Sequence, residues 1–198
     1  MTYIGIDPDV HGTGIVAVNS DDKIVRWLIV PSEADQRGAI AVMQALTNLA
    51  SLARQFLNEL PHVEKIAIEN PIFRGSMMRS SYARQGHRVN PESIKLLAQI
   101  ASGCYVFFRM VYPGADIRLV TPDYWKGAVP KSIHQRRLLK GLGIPFSWND
   151  KGQNSVPIPT DGTFDGASTV DLRQLLDALG LAVFAHHDMT SARLKDME

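Results

Sequence analysis

Residues 3–18, YIGIDPDVHGTGIVAV, decide the reading of the fold. Tyr3, Ile4, Gly5 and Ile6 form an apolar run that ends on a carboxylate, Asp7, as a buried strand does when it reaches the rim of a sheet. A Gly-containing turn follows, and residues 12–18 (GTGIVAV) return as a second apolar run. Residues 23–30 (KIVRWLIV) supply a third. Three such runs in close succession, joined by short turns, predict an antiparallel meander.

Outward from this hairpin the period changes. Ile40, Met43, Leu46, Leu49, Ala50, Ala53, Phe56, Leu57 and Leu60 recur at steps of three and four. This spacing predicts a long amphipathic helix within residues 36–60, ended by Pro61, with Met43 and the Leu positions in the core. Residues 64–68 (EKIAI) read as a fourth strand that runs into Glu69. Residues 70–89 break the pattern. Residues 90–112 read as a helix with Asn90 as its N-cap and Pro91 in its first turn. Residues 116–120 (DIRLV) form a fifth strand, a further helix runs from about Pro130 to Leu142, and residues 171–187 are helical again. The polar, Gly/Pro-rich stretch at about 145–170 reads as a long loop. The expected fold class is α/β, a central five-stranded mixed sheet flanked by helices, in one domain spanning residues 1–198.

Composition excludes several classes. An apolar fraction of 45% can build a core, and one cysteine, Cys104, cannot support an internal disulfide framework, which fits a reducing compartment. The N-terminus carries Asp7 and Asp9 and no basic segment, so no signal peptide is expected, and no apolar run is read as approaching the roughly 20 residues of a membrane span. Against 21 Lys and Arg stand 20 Asp and Glu, a formal charge of +1, which taken alone argues against nucleic acid. The average hides a partition. Residues 72–89 and 122–140 together hold nine Lys/Arg and one acid, Asp123, whereas residues 150–198 hold eight acids against four bases. The basic regions are therefore free to form a nucleic-acid face.

Asp7 and Glu69 end strands expected to lie side by side at the sheet centre. Two carboxylates held close repel unless a cation joins them. Hard cations such as Mg²⁺ take oxygen ligands and keep waters for substrate phosphates. Two such ions roughly 3.5–4 Å apart can activate water and stabilise a leaving oxygen. A third ligand is expected from the last helix. Asp177 sits in LLDALGLAVFAHH, where a lone buried charge would be costly. The alternatives are Asp177 facing solvent beside Arg173, and Asp188 as the ligand instead.

The residues then resemble a known family. YIGIDPDVHGTGIVAV is similar to the first hairpin of RuvC-type Holliday junction resolvases, members of the RNase H-like superfamily. KIAIENPIF resembles their second acidic strand. NPESIKLLAQIASG is similar to the next family helix, with Asn90, Ser93, Lys95, Leu96, Gln99 and Gly103 in register. PDYWKGAVPKSIHQ resembles the lysine-bearing segment and DALGLAVFAHH the final acidic helix, and WKGAVPK looks most like the phage-encoded variants. The resemblance covers most of the chain except about 70–89 and 145–170.

It implies an RNase H-like fold and a crossover junction endodeoxyribonuclease that cuts paired strands of four-way branched DNA during recombination and repair. Asp7, Glu69 and Asp177 would be catalytic metal ligands for Mg²⁺, with Mn²⁺ able to substitute, as two ions per site. Lys131 would approach the scissile phosphate, with Lys126 a weaker candidate. A homodimer is implied, presented to the two symmetric strands, with its interface on the surplus apolar face of helix 90–112. No small-molecule cofactor and no membrane enter the picture, and the setting would be the cytoplasm of a bacterial or phage-infected cell. One departure stands out. The family's fourth ligand, three residues before the last Asp, falls here on Gln174; in the Asp188 register the missing member of the pair would instead be Ser191. A weak second metal site, or a site completed by His186 or His187, is left open.

Two basic regions are candidates for DNA contact. Residues 72–89 hold Arg74, Arg79, Arg84 and Arg88 without an acid, interleaved with Phe73 and Tyr82. Arg pairs with phosphate, and aromatics stack on unpaired bases. This insertion directly follows Glu69 and is expected to enter the open centre of a junction. In the second region Lys126, Lys131, Arg136, Arg137 and Lys140 are expected to track phosphate, with positions 133, 136, 137 and 140 on one helix face. Trp125 is a candidate for stacking on a base, but reads first as a core anchor. The competing readings are an RNase H-like nuclease acting on flaps or RNA, and a junction-binding protein with a degenerate site, the latter motivated by Gln174.

Overall fold

The computed structural model describes residues 1–9, 12–31, 38–60, 62–71, 91–127, 129–149 and 156–187. β1 (Thr2–Asp7), β2 (Gly12–Asn19) and β3 (Ile24–Pro31) form the expected meander. α1 (Ala39–Asn58) leads to β4 (Val63–Glu69), α2 (Pro91–Val111) to β5 (Asp116–Val120), and the short α3 (Pro122–Trp125) to α4 (Lys131–Gly141). β6 (Phe146–Asn149) and β7 (Val156–Pro159) precede α5 (Thr169–His187).

The five-stranded sheet has the order β3-β2-β1-β4-β5. β1 is antiparallel to β2, and β4 is parallel to both β1 and β5. Centrality explains the sequence of β1. A strand flanked by neighbours and covered on both faces reads as a continuous apolar run, and all six of its residues are buried. Side chains alternate between the faces. Ile4 and Ile6 pack with Ile66 and Ile68 against α1 and α2, whereas Tyr3 and Ala67 belong to the cluster around α5. α5 is buried nearly all round from Leu172 to Ala185, which accounts for its uniform apolarity.

Two glycines set how close α5 lies. A Cβ on Gly5 would stand 1.9 Å from the carbonyl oxygen of Ala178, and one on Gly14 would stand 2.8 Å from the backbone of Gln174. The helix thus rests directly on the backbone of β1 and β2. By alternation Asp7 shares the α5 side of β1 with Tyr3 and Gly5, and Glu69 shares that side of β4 with Ala67.

Three expectations need correction. The stretch at 145–170 is not one long loop: β6 and β7 pair antiparallel, Phe146 opposite Pro159 and Asn149 opposite Val156, and Val156 and Phe164 are buried in the α5-side core. Pro157 and Pro159 disguised the strand, since proline is disfavoured in central strands but tolerated in an isolated two-stranded ladder. Ile40 and Met43 are exposed, because the buried stripe of α1 runs through Ala41, Val42, Ala45, Leu49, Ala53, Phe56 and Leu57. A stripe little wider than 100° cannot hold every apolar position of the helix. Finally, Glu92–Val111 is long and apolar enough, by length and composition, to cross a membrane. Its inner side packs in the protein core through Ile100, Ala101, Cys104 and Phe108, leaving Val106, Met110 and Val111 exposed. The expected N-cap Asn90 lies outside the described residues.

Candidate metal centre

β1 and β4 run in parallel register with Ile6 opposite Ile68, so Asp7 and Glu69 emerge at the same rim, one residue further on. α5 crosses above them and brings Asp177. One carboxylate oxygen from each of Asp7, Glu69 and Asp177 lies within 4.8 Å of the other two. Asp7 and Asp177 are buried, and Glu69 is half-buried. The solvent-facing alternative for Asp177 does not hold, since the residue is only 2% exposed. Asp188 and Ser191 lie outside the described residues.

The cluster is partly neutralised by two lysines. Lys131 Nζ stands 2.7 Å from Asp177 Oδ2, and Lys126 Nζ stands 3.3 Å from Glu69 Oε2 and 3.6 Å from Asp177 Oδ2. The Lys126 side chain is 14% exposed and directed at the acids, not out along a surface. Lys131, on the first turn of α4, is about half exposed and bridges the acids to solvent. Burial opposes charge on both ammoniums, yet the surrounding carboxylates, Asp177 foremost, raise both above the ordinary lysine value.

The acids diverge in the same field. Burial, then repulsion from Glu69 and Asp177, drives the Asp7 carboxyl well above the usual range. Asp177 feels burial too, but Lys126, Lys131 and hydrogen bonds from Lys131 and Gln135 outweigh it and lower its value. A buried acid pushed up by two neighbouring carboxylates is relieved by a cation. The donor set is all oxygen, which fits Mg²⁺ or Mn²⁺ better than a thiophilic metal.

Two neighbours escaped the sequence reading. Trp125 is fully buried, as a core anchor should be, but its indole Nε1 also donates to Glu69 Oε2 at 2.9 Å. Gln135 Nε2 donates to Asp177 Oδ1 at 2.8 Å. Gln135 lies one turn from Lys131 on the same face of α4, but that spacing alone does not name Asp177 as its partner. His134 is buried with its ring edge-on to Trp125, its Nε2 has no hydrogen-bond partner among the described residues, and burial pushes it down to about 4. Gln174 is buried, its amide oxygen facing the backbone of Gly12.

His186 and His187 do not complete this centre. They stand nine and ten residues past Asp177 on α5, roughly 14–15 Å along the axis, and both contact Asp22. On the outer side of α4, Arg136 is exposed with its guanidinium 5.9 Å from the centre of the Trp148 ring, Arg137 is partly exposed, and Lys140 is exposed. Phe73, Arg74, Arg79, Tyr82, Arg84 and Arg88 lie outside the described residues.

No protein-family model matches this sequence, and no curated protein sequence does. Among solved structures, the chain is similar to Thermus thermophilus RuvC in complex with a Holliday junction substrate, with a TM-score of 0.55 and 17% identity over 95% of this chain and 93% of that one. It is similar also to a second structure of T. thermophilus RuvC, with a TM-score of 0.51 and 16% identity over 98% and 97% of the two chains. The likeness holds across nearly the full length of both: this chain has the RuvC fold, an RNase H-like mixed sheet with helices on both faces.

Proposed function

We propose that the protein is a metal-dependent DNA endonuclease that resolves Holliday junctions by paired phosphodiester hydrolysis. The observation that carries the reading is the convergence of Asp7, Glu69 and Asp177 at one rim of a RuvC-fold sheet. The likeness to a RuvC chain described with a Holliday junction substrate supports branched DNA as the ligand.

Asp7, Glu69 and Asp177 would hold Mg²⁺ or Mn²⁺, which when bound supplies an activated water and offsets charge on the phosphate. The chain's own groups do the rest. Gln135 and Lys131 fix the two oxygens of Asp177. Trp125 fixes Glu69 from the dry side. Lys131, the more exposed of the two lysines, would swing onto a phosphate oxygen and steady developing negative charge. Arg136, Arg137 and Lys140 offer positive charge along the outer side of α4. Arg74, Arg79, Arg84 and Arg88, with Phe73 and Tyr82, are assigned to the junction centre. The exposed side of α2, with Val106, Met110 and Val111, is assigned to a second copy of the chain, which would set two centres against the two symmetric strands.

Cleavage of four-way junction, linear duplex, flap and RNA–DNA hybrid at equal concentration tests the reading. Junction cut in preference to the other three is the expected result; equal or better cutting of flap or hybrid would replace the substrate assignment. A second reading, a junction-binding protein with a weakened centre, is favoured by Gln174 at the family's fourth-ligand position. It requires binding without nicking in both Mg²⁺ and Mn²⁺.

A further inference from the structure

A second constellation of metal-ligand chemistry lies at the opposite end of α5. His186 Nδ1 is 2.7 Å from Asp22 Oδ1, and His187 Nε2 is 2.6 Å from Asp22 Oδ2. The two imidazole rings are 4.0 Å apart, and the three donor atoms all lie within 4.8 Å of one another. Consecutive residues of a helix point about 100° apart, so the convergence of both rings on one carboxylate is a property of the helix end and not of the helix repeat.

The surroundings hold these groups in place. Asp22 sits in the β2–β3 turn with φ 57°, the one non-glycine residue in the left-handed region among those described. Aspartate tolerates that conformation, and the turn is pinned by Asn19: its side-chain oxygen accepts from the backbone of Asp21 and Lys23, and its carbonyl accepts from Asp22. The His186 ring stacks on Tyr3 at 4.2 Å, and the Tyr3 hydroxyl donates to Glu64. Neighbours that orient a histidine are what a metal ligand ordinarily has. Asp22 also lines an open cleft of about 640 Å³ with Asp21, Lys23, Arg26, Trp27 and Leu142.

We propose that Asp22, His186 and His187 form a second cation site, for a borderline transition metal such as Zn²⁺, that ties the end of α5 to the β2–β3 turn. Two imidazole nitrogens and one carboxylate are the donor set that Zn²⁺ takes readily and Mg²⁺ does not. Ligands sharing one tetrahedral zinc stand roughly 3.3 Å apart, a spacing that falls between the two hydrogen bonds and the 4.8 Å within which the three donors lie. The all-oxygen cluster around Asp7 and the nitrogen-rich cluster around Asp22 thus sort different metals on one helix.

The test uses the full chain with Zn²⁺ as the probe, titrated calorimetrically in excess Mg²⁺, for the wild type, Asp7→Asn, Asp22→Asn and the double variant His186→Gln/His187→Gln. One zinc per chain in the wild type and in Asp7→Asn, with affinity at least about tenfold lower in the other two, is the expected result. Zinc binding that is lost in Asp7→Asn and kept in the double variant would overturn the assignment, as would the same affinity in all four proteins. Side-chain nitrogen NMR of the wild type needs no variant to fold. Zinc should move the imidazole signals of two of the six histidines, and no histidine shift on saturation would equally overturn the site.

Discussion

Lys131 Nζ stands 2.7 Å from Asp177 Oδ2, so the lysine assigned to phosphate also occupies a carboxylate assigned to metal. Lys131→Ala should therefore have two opposite effects. Divalent-metal affinity rises by about two- to fivefold, the worth of a half-exposed ion pair removed from competition. Junction cleavage at saturating metal falls by about 10²–10³-fold, as when a charge-stabilising donor is lost. Calorimetry and single-turnover cleavage read the two separately, and a variant that loses both together would mark Lys131 as merely structural.

Asp7 is held neutral-prone by burial and by Glu69 and Asp177. An acid whose folded value is raised binds protons that the unfolded chain has released, so its contribution to stability falls as pH rises through that folded value. Asp7→Asn removes this cost. In chelator at neutral pH the variant should be more stable than the wild type by up to about 2 kcal/mol, a gain typical of relieving a strained functional site. The gain should vanish at acidic pH, and thermal melts across pH check both parts.

Gly5 is where the backbone of α5 meets β1. Gly5→Ala places a Cβ 1.9 Å from the Ala178 carbonyl oxygen, one residue from Asp177. Overpacking of this kind costs about 1–3 kcal/mol. If the helix yields, Asp177 moves away from Asp7, so metal affinity should fall along with the melting temperature. An unchanged affinity would mean the strain is absorbed elsewhere.

His134 sits buried and neutral, pushed down to about 4. Its folded value lies below the unfolded one, so the unfolded chain takes up a proton that the folded chain refuses. Stability is lost as pH falls from about 6.5 towards 4, by on the order of 3 kcal/mol. His134→Gln should flatten that slope relative to the wild type, measured as the difference in unfolding free energy between pH 7 and pH 4.

The sheet was legible because β1 to β4 are strongly apolar runs bounded by turns, and because carboxylates at strand ends are conspicuous after Ile6 and Ile68. Asp177 was legible as the one acid on the otherwise apolar stretch of α5. What periodicity could not supply was contact across elements. Nothing local in Trp125 or Gln135 says that one donates to Glu69 and the other to Asp177. Lys126 reads in sequence as one of the phosphate-tracking cations and a weaker candidate for the scissile phosphate, although its ammonium turns inward to Glu69 and Asp177. β6 and β7 were hidden by proline, and the sequence leaves open that His186 or His187 completes the Asp7 centre, whereas their partner, Asp22, comes from the far end of the sheet.

The most direct measurement is cleavage of a synthetic four-way junction by the wild type and by Asp7→Asn, each with Mg²⁺ and with chelator, alongside junction binding. Symmetric nicking by the wild type with Mg²⁺ is the expected result. Chelator or Asp7→Asn should each reduce it by about 10³-fold or more, with binding retained. Cutting by Asp7→Asn at the wild-type rate, or a wild type that binds the junction yet leaves it intact in both Mg²⁺ and Mn²⁺, would contradict the assignment of Asp7, Glu69 and Asp177 as a metal-dependent nuclease centre.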